Sequence, residues 1–444
     1  MNRERLGAPF HFGLWRALLL LGLIAGCAAP TRMTVASTQA PAPSAAPTPA
    51  PVVEATSPTP PAKPEPTGPA ARELPDLPHQ RVASPEGTFI AEVEGKAPPT
   101  LSRGEGVVRV TVPLGTSAPL VCFVYERPLD AASALLALAD TVKKGPGVTV
   151  KHMELTELVE VAHTPALFLD VDYEAPTKGG ERGAGQLKLM VHADKDLPLL
   201  CAHDEPGYAR TFHRITTALA ASLQVPGPRR PPEPWEEIQA VRLEGQLVGF
   251  VWRTRDDLPT LPAAPHRTQS TTSLLWPAAE GDLRAEDTTT TALADAQGQL
   301  LEYRSARAEN GVLALQVTLR KDPKQGYKYE ARQGAKSVQG SIATQRGLTA
   351  EPADLATRQL LAESSRDAER VLDVYRPEGS LAAAVQLTLR KDAPRGPRAL
   401  TTTTHETTTR AIVDTSGHLQ REEARTAQGL RASERLFPVE VSAP

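Results

Sequence analysis

The stretch from residue 28 to residue 78 constrains the fold most, because it is too rich in proline to enter a packed core. It holds fourteen of the 42 prolines of this 444-residue chain, set among Ala, Thr and Ser without an apolar period. Such a composition cannot bury enough apolar surface to offset the entropy of ordering the backbone. We therefore expect a disordered, semi-extended tether; a proline-rich ligand for a partner domain is the alternative.

The segment before the tether predicts an export signal. Arg3, Arg5 and Arg16 supply positive charge, and an uninterrupted apolar run covers residues 17–26. That run is about half of the roughly 20 residues that a membrane-spanning helix needs, so a cleavable signal peptide is the better interpretation. The alternative is an ordinary secretory signal with an incidental cysteine at Cys27.

The end of this signal, IAGC at residues 24–27, resembles the lipobox of bacterial lipoproteins. The resemblance implies that residues 1–26 are removed and that the thiol of Cys27 carries a diacylglyceryl group. Each buried acyl methylene contributes about 0.8 kcal/mol, so two or three chains hold a protein firmly at a membrane. By the same resemblance, Ala28 rather than Asp at the second mature position implies the outer membrane.

Composition and charge limit the function classes open to the chain beyond the tether. Hydrophobic residues make up 40% of the chain, and its formal net charge is -3. Without a concentrated basic patch, the chain does not have the footprint of a nucleic-acid-binding protein. A second Pro-rich linker at residues 226–234 separates two predicted domains, residues 79–225 and 235–444.

The first domain alternates strand patterns with two helix patterns. The β-branched run VVRVTV at Val107–Val112 and the apolar run LVCFVY at Leu120–Tyr125 predict buried strands. Helices are predicted over residues 131–144 and 208–223, the second with one apolar face. These patterns predict an α+β sandwich. The order of elements resembles that of PsbP/Mog1-like domains, and no function is carried over from the resemblance.

Two cysteines remain after Cys27. Cys122 and Cys201 both lie in apolar strand patterns of the first domain. Because a lone pair of thiols outside the cytoplasm tends to become oxidised, we expect a disulfide between them. Two separately buried free thiols are the alternative.

The densest group of chemical side chains is His203, Asp204 and Glu205. Neighbours on a strand point to opposite faces, so three adjacent residues do not form one site. We expect a polar turn that caps the second helix, with Asp204 or Glu205 near its positive end. The other histidines show no metal-ligand spacing.

The second domain is predicted to be mainly antiparallel β, a curved sheet or open barrel. Thr-rich runs at residues 288–291 and 401–409 favour strands, with O-glycosylation as the alternative. Two DxxG turns, at residues 295–298 and 414–417, are typical of hairpins. One helix is expected over residues 352–367. The outline resembles the half-barrel of periplasmic lipoprotein carriers. Together, the α+β sandwich of the first domain and the β-rich second domain place the predicted fold of the whole chain in the α+β class.

No motif points to an enzyme. The chain contains no GxSxG, HExxH, CxxC or P-loop pattern, and we expect no catalytic residue, metal ligand or cofactor. The leading hypothesis is a lipid-anchored, non-enzymatic envelope protein that binds another envelope protein. A carrier of a lipid or other apolar ligand is the alternative, and an enzyme with scattered catalytic residues is the third hypothesis.

Overall fold

The computed structural model describes residues 72–436 except for residues 178–179, 228–234, 259–260, 262–263, 279–281, 325, 345, 350–359, 361–367, 393–397, 406 and 415–417. The described residues form two helices and 24 strands. The helices are α1 (Ala131–Lys143) and α2 (Ala209–Ser222). A small hairpin pairs β1 (His79–Ala83) with β2 (Ile90–Glu94).

A seven-stranded sheet comes after the hairpin, and all its neighbouring strands are antiparallel. Across the sheet the order is β3-β4-β5-β9-β8-β7-β6. Its strands are β3 (Thr100–Gly104), β4 (Val107–Val112), β5 (Leu120–Tyr125), β6 (Thr149–Val161), β7 (Thr164–Pro176), β8 (Arg182–His192) and β9 (Leu199–Asp204). β4 and β5 have the bounds that their β-branched and apolar runs predict.

The two helices cover opposite faces of this sheet. Helix α2 packs Phe212, Ile215 and Leu219 against one face, which also carries Phe168 and Met190. These helical positions recur at intervals of three and four residues, the period of one helix face, as the sequence predicts. Helix α1 packs against the other face. Each fully buried Leu, Ile or Phe contributes about 1.5–3 kcal/mol to these layers.

A fifteen-stranded sheet contains the rest of the described chain. Its order is β17 to β10 in descending sequence, followed by β24 down to β18. The strands of its first half are β10 (Trp235–Leu243), β11 (Gln246–Asp257), β12 (His266–Pro277), β13 (Leu283–Ala294), β14 (Leu300–Glu309), β15 (Val312–Asp322), β16 (Gly326–Gln333) and β17 (Lys336–Ile342). Those of its second half are β18 (Leu348–Thr349), β19 (Glu369–Tyr375), β20 (Ala384–Lys391), β21 (Ala399–Thr403), β22 (Thr408–Val413), β23 (Leu419–Thr426) and β24 (Gly429–Arg435).

This large sheet is strongly curved. The rings of Tyr303 on β14 and Tyr375 on β19 meet edge to face with centroids 5.3 Å apart, although these strands lie far apart in the sheet order. Near the two sheet edges, Thr344 donates a hydrogen bond of 2.8 Å to Asp373. The last strand of this sheet in chain order, β24, pairs with the first, β10. Among its described strands, only β18 and β19 pair in parallel.

The first DxxG turn adopts the predicted hairpin geometry. Between β13 and β14, Asp295 Oδ1 accepts hydrogen bonds from the backbone N–H groups of Gln297 and Gln299, at 3.0 and 2.8 Å. Gly298 has φ of 80°, a conformation that glycine adopts without a Cβ clash. Residues 415–417 of the second turn lie outside the described residues.

The two sheets share one hydrophobic core. Helix α1 lies between them, and its Leu135 and Ala139 belong to the same cluster as Ile238, Phe250 and Leu275 of the large sheet. The layers are therefore α2, the seven-stranded sheet, α1 and strands β10–β13. The predicted boundary between domains 79–225 and 235–444 falls largely on residues 228–234, which lie outside the described residues.

The predicted α+β class is wrong. The described chain is mainly β, and its two helices cover antiparallel sheets rather than forming half of an α+β sandwich. Long strands account for the difference: β6, β7 and β8 have 13, 13 and 11 residues, so most of the first sheet is strand. The helix expected over residues 352–367 lies outside the described residues, apart from Leu360.

The cap of α2 comes from the end of the predicted tether. Glu73 accepts hydrogen bonds from the backbone N–H groups of Arg210 and Thr211, at 3.1 and 2.7 Å, and from Thr211 Oγ1 at 2.7 Å. The expected cap from Asp204 or Glu205 is therefore wrong, because a residue 137 positions upstream of Arg210 fills that role. A carboxylate also suits the positive end of the helix dipole.

Replacing Glu73 with alanine is expected to lower the free energy of unfolding by about 1–2 kcal/mol, the usual cost of losing a helix cap. Urea unfolding measures this loss, and hydrogen exchange should show faster exchange in the first turn of α2. Glu92→Ala is the matched control, because Glu92 is exposed on β2. An equal loss in both variants would contradict the capping role.

Candidate functional site

Three polar side chains form a row across the seven-stranded sheet. In the strand register Asp170 on β7 pairs with Lys188 on β8, and Lys188 pairs with His203 on β9. Directly paired residues of an antiparallel sheet project from the same face. This face carries Phe168 and Met190 and lies under α2. The row thus places an acid, an amine and an imidazole together beneath the start of that helix.

Strand alternation separates the His203, Asp204 and Glu205 group, as the sequence predicts. His203 is buried with 1% of its surface exposed, whereas Asp204 is exposed and accepts a 2.6 Å hydrogen bond from the Tyr173 hydroxyl. Glu205 lies in the following turn and accepts a hydrogen bond of 3.0 Å from the backbone N–H of Ala118. Only His203 joins the polar row.

A cleft of about 410 Å³ opens between the first turns of α2 and strands β6, β7 and β8. We call it the α2 cleft. Phe168 and Phe212 provide its aromatic wall, and Asp170 and Lys188 lie in it. The remaining lining residues are Thr156, Glu157, Ala209, Arg210, His213 and Arg214. Its volume lies within the range of small-molecule sites, which are typically about 300–1,000 Å³.

The charged groups of the row have perturbed pKa values. Burial is the main cause that raises the pKa of Asp170 to about 6; Lys188 opposes this shift, and Asp172 and Glu154 add to it. Burial lowers the pKa of Lys188, against the nearby carboxylates. Burial, and then the charge of Lys188, lower the pKa of His203 to about 4. Perturbed groups that line a cleft mark a candidate functional site.

Three basic side chains of the cleft have partners among the described residues. The Lys188 ammonium donates to the backbone carbonyl of Glu205. Arg214 forms ion pairs with Asp76, at 2.7 Å, and with Glu94. His213 Nε2 lies 3.0 Å from the Glu157 carboxylate at the rim.

A second group of buried carboxylates lies at the start of α1. Asp287 of β13 is 2% exposed and accepts hydrogen bonds from the backbone N–H groups of Ala132 and Ser133 and from the Ser133 hydroxyl. Asp130 is the residue before the helix, and its side chain makes no cap hydrogen bond. Since Asp287 is fully engaged in capping α1, we assign this group to folding rather than to ligand binding.

The structure describes two of the three site residues named from the sequence. Cys122 and Cys201 occupy paired positions on β5 and β9, with Cα atoms 4.0 Å apart, and form a disulfide in the core under α2. Cys27, the predicted lipidation site, lies outside the described residues.

Asp170 and Lys188 did not emerge from the sequence as site residues. Each is nevertheless visible in the sequence as a charged residue inside an apolar strand pattern. The patterns are ALFLDV at residues 166–171 and LKLMV at residues 187–191. Lys188 occupies a position that alternation assigns to the core, and lysine is rarely buried without a partner. The strand register that joins it to Asp170 and His203 is not visible in either segment alone.

Three solved structures are distantly similar to this chain. No family model and no curated protein matches the chain. A β-barrel-like protein of the DUF1849 family from Brucella abortus shares 11% identity over 45% of this chain and 95% of its own, with a TM-score of 0.28. A DUF1089 family protein from Pseudomonas aeruginosa shares 14% identity over 43% of this chain and 90% of its own, with a TM-score of 0.23. A protein from Bacteroides thetaiotaomicron shares 12% identity over 37% of this chain and 54% of its own, with a TM-score of 0.21.

Proposed function

We propose that this protein is an exported, lipid-anchored envelope protein whose folded part is a non-enzymatic binding module. The observation that carries the proposal is the Cys122–Cys201 disulfide, buried in the core beneath α2. Disulfides of this kind form in oxidising compartments and are rare in the reducing cytosol. The disulfide therefore supports the export signal that residues 1–26 predict.

Binding fits the α2 cleft better than catalysis does. The imidazole of His203 lies behind Lys188 in the row, and with 1% exposure it does not line the cleft. A general acid or base must reach the group that gives or takes the proton. The cleft therefore offers a pocket of ligand size with a carboxyl and aromatic walls, and the buried imidazole of the row does not reach a ligand in it.

The proposed anchor is the lipid on Cys27, with the outer membrane as the proposed location and an envelope protein as the proposed partner. No helix among the described residues is long and apolar enough to cross a membrane. The described chain begins at Arg72, whose backbone carbonyl accepts a hydrogen bond of 2.7 Å from the N–H of Tyr208, beside α2.

Cys27→Ala is expected to abolish lipidation and to leave the protein unprocessed or soluble, because the modified thiol is the proposed anchor. Membrane fractionation and mass measurement of the processed protein test this. Ala28→Ser, which keeps the cysteine, is the matched control and should remain with the membranes. If Cys27→Ala also remained with the membranes, the lipid on Cys27 would not be the anchor.

The carrier of an apolar ligand remains the second candidate, because the large sheet is curved and Tyr303 and Tyr375 cluster on its concave side. Its central strands are less suited to an apolar cargo, since Glu237 and Arg253 form a buried ion pair there at 3.1 Å.

Native mass spectrometry of the Cys27→Ala protein from a bacterial periplasm tests this candidate. A co-purifying apolar mass would favour the carrier, and a protein mass without cargo would favour the partner-binding module.

A further inference from the structure

We propose that the α2 cleft binds a small organic amine, whose ammonium pairs with Asp170 while its apolar body lies against Phe168 and Phe212. This inference rests on the proposed binding role and specifies its ligand class, but it is independent of the lipid anchor. Three features of the cleft support it: the hydrogen bonds of its charged groups, the character of its wall and the surroundings of Asp170.

The hydrogen bonds of the cleft leave one carboxylate without a donor. Lys188 donates to a backbone carbonyl, Arg214 pairs with Glu94, and His213 lies beside Glu157. Within the part of the chain that the structure describes, Asp170 accepts no hydrogen bond and forms no ion pair. A half-buried carboxylate that accepts no hydrogen bond is costly even beside the charge of Lys188, and an ammonium ligand would reduce that cost.

The wall of the cleft suits the body of such a ligand. Phe168 and Phe212 lie edge to face with ring centroids 6.3 Å apart, and His213 stacks on Phe168 at 4.3 Å. Because His213 covers one face of Phe168, the two rings offer the ligand apolar contact rather than a cation–π site. A volume of about 410 Å³ accommodates a molecule with one ring and a short amine chain.

The surroundings of Asp170 predict how binding depends on pH. Asp172 on its own strand and Glu154 and Glu157 on β6 are acidic, and Lys188 on β8 is basic. From α2, the basic side chains of Arg210, His213 and Arg214 face the cleft. Since the pKa of Asp170 is raised to about 6, its carboxyl is mostly neutral at pH 5 and ionised above pH 7. An alkyl amine stays protonated throughout this range, as lysine does. Its affinity should therefore rise about tenfold from pH ~5 to pH ~7.5.

The test is isothermal titration of the full chain with 2-phenylethylamine at these two pH values. 3-Phenylpropanoate and 2-phenylethanol serve as the anionic and neutral analogues with nearly the same shape. A dipeptide amide beginning with phenylalanine, compared with its acetylated form, distinguishes a peptide N-terminus from a free amine as the source of the ammonium. We expect the amine to bind more tightly than either analogue.

Asp170→Asn should weaken amine binding at least about tenfold and remove its pH dependence, because the amide keeps the shape but carries no charge. Asp172→Asn is the matched control: it removes a carboxylate from the same strand outside the cleft lining and should retain the pH-dependent binding. Equal binding of the amine and the alcohol, or no binding of the amine, overturns the inference. Tighter binding of the anion also overturns the ligand class, but leaves the binding role intact.

Discussion

Replacing Asp287 with alanine is expected to lower the free energy of unfolding by about 3–5 kcal/mol, the range for breaking a buried charged network. The Asp287 carboxylate accepts hydrogen bonds of 3.0, 2.9 and 2.6 Å from Ala132 N, Ser133 N and Ser133 Oγ. Alanine leaves these donors at the start of α1 buried without acceptors. Because α1 lies in the core shared by both sheets, the loss should appear in the unfolding of the whole folded part.

Guanidinium unfolding, followed by circular dichroism and tryptophan fluorescence, measures this loss. A loss below about 1 kcal/mol would show that water replaces the carboxylate and that α1 does not depend on it. Ser133→Ala removes one of the three donors and should cost less than Asp287→Ala.

Asp130 provides a control, because its replacement is expected to raise stability near pH 8 where that of Asp287 lowers it. Burial, and then the charge of Asp287, raise the pKa of Asp130 from 3.8 to about 7. Between these two values the folded state binds more protons than the unfolded state, so stability falls as the pH rises through this window. Asp130→Asn removes the contribution of this carboxyl to the change of stability with pH. The variant should therefore be more stable than the parent near pH 8, whereas Asp287→Ala should be less stable there.

Replacing both Cys122 and Cys201 with alanine is expected to lower the free energy of unfolding by about 2–5 kcal/mol. The disulfide closes a loop with a sequence separation of 79, for which chain entropy alone predicts about 4.5 kcal/mol. Both residues are fully buried against α2, so the lost sulfur atoms also leave a small cavity.

Thermal and chemical unfolding with and without dithiothreitol tests the disulfide. The reductant should destabilise the parent and leave the double variant unchanged, because only the parent has a bond to reduce. The single variant Cys122→Ala should resemble the double variant, since the partner thiol alone closes no loop. If the reductant had no effect on the unfolding of the parent, the disulfide would not be part of the protein in solution.

Local patterns predicted several elements of the structure closely. β4 and β5 have the predicted bounds, and α1 and α2 lie within one residue of theirs. The predicted fold class failed because strand patterns of short apolar runs do not reveal how far a strand extends. β7 continues from Thr164 to Pro176 through residues with no apolar alternation, since its neighbours β6 and β8 hold its backbone on both sides.

The candidate site was only partly accessible from the sequence. Alternation correctly separated His203 from Asp204, but it could not place Lys188 and Asp170 beside His203. Those three side chains meet through the register of β7, β8 and β9, and a shift of one residue in one strand would turn its side chain to the other face.

What the sequence by itself determined is the periodicity of each segment, and with it the face that each side chain takes. This is so because backbone geometry has a period of about 3.6 residues in a helix and of two in a strand. Tertiary structure alone decided the long-range partners. Glu73 caps a helix 137 residues downstream in the chain, and Asp287 caps one 155 residues upstream. The physical reason is that these contacts depend on strand register and on the packing of α1 between two sheets, and no local pattern encodes either.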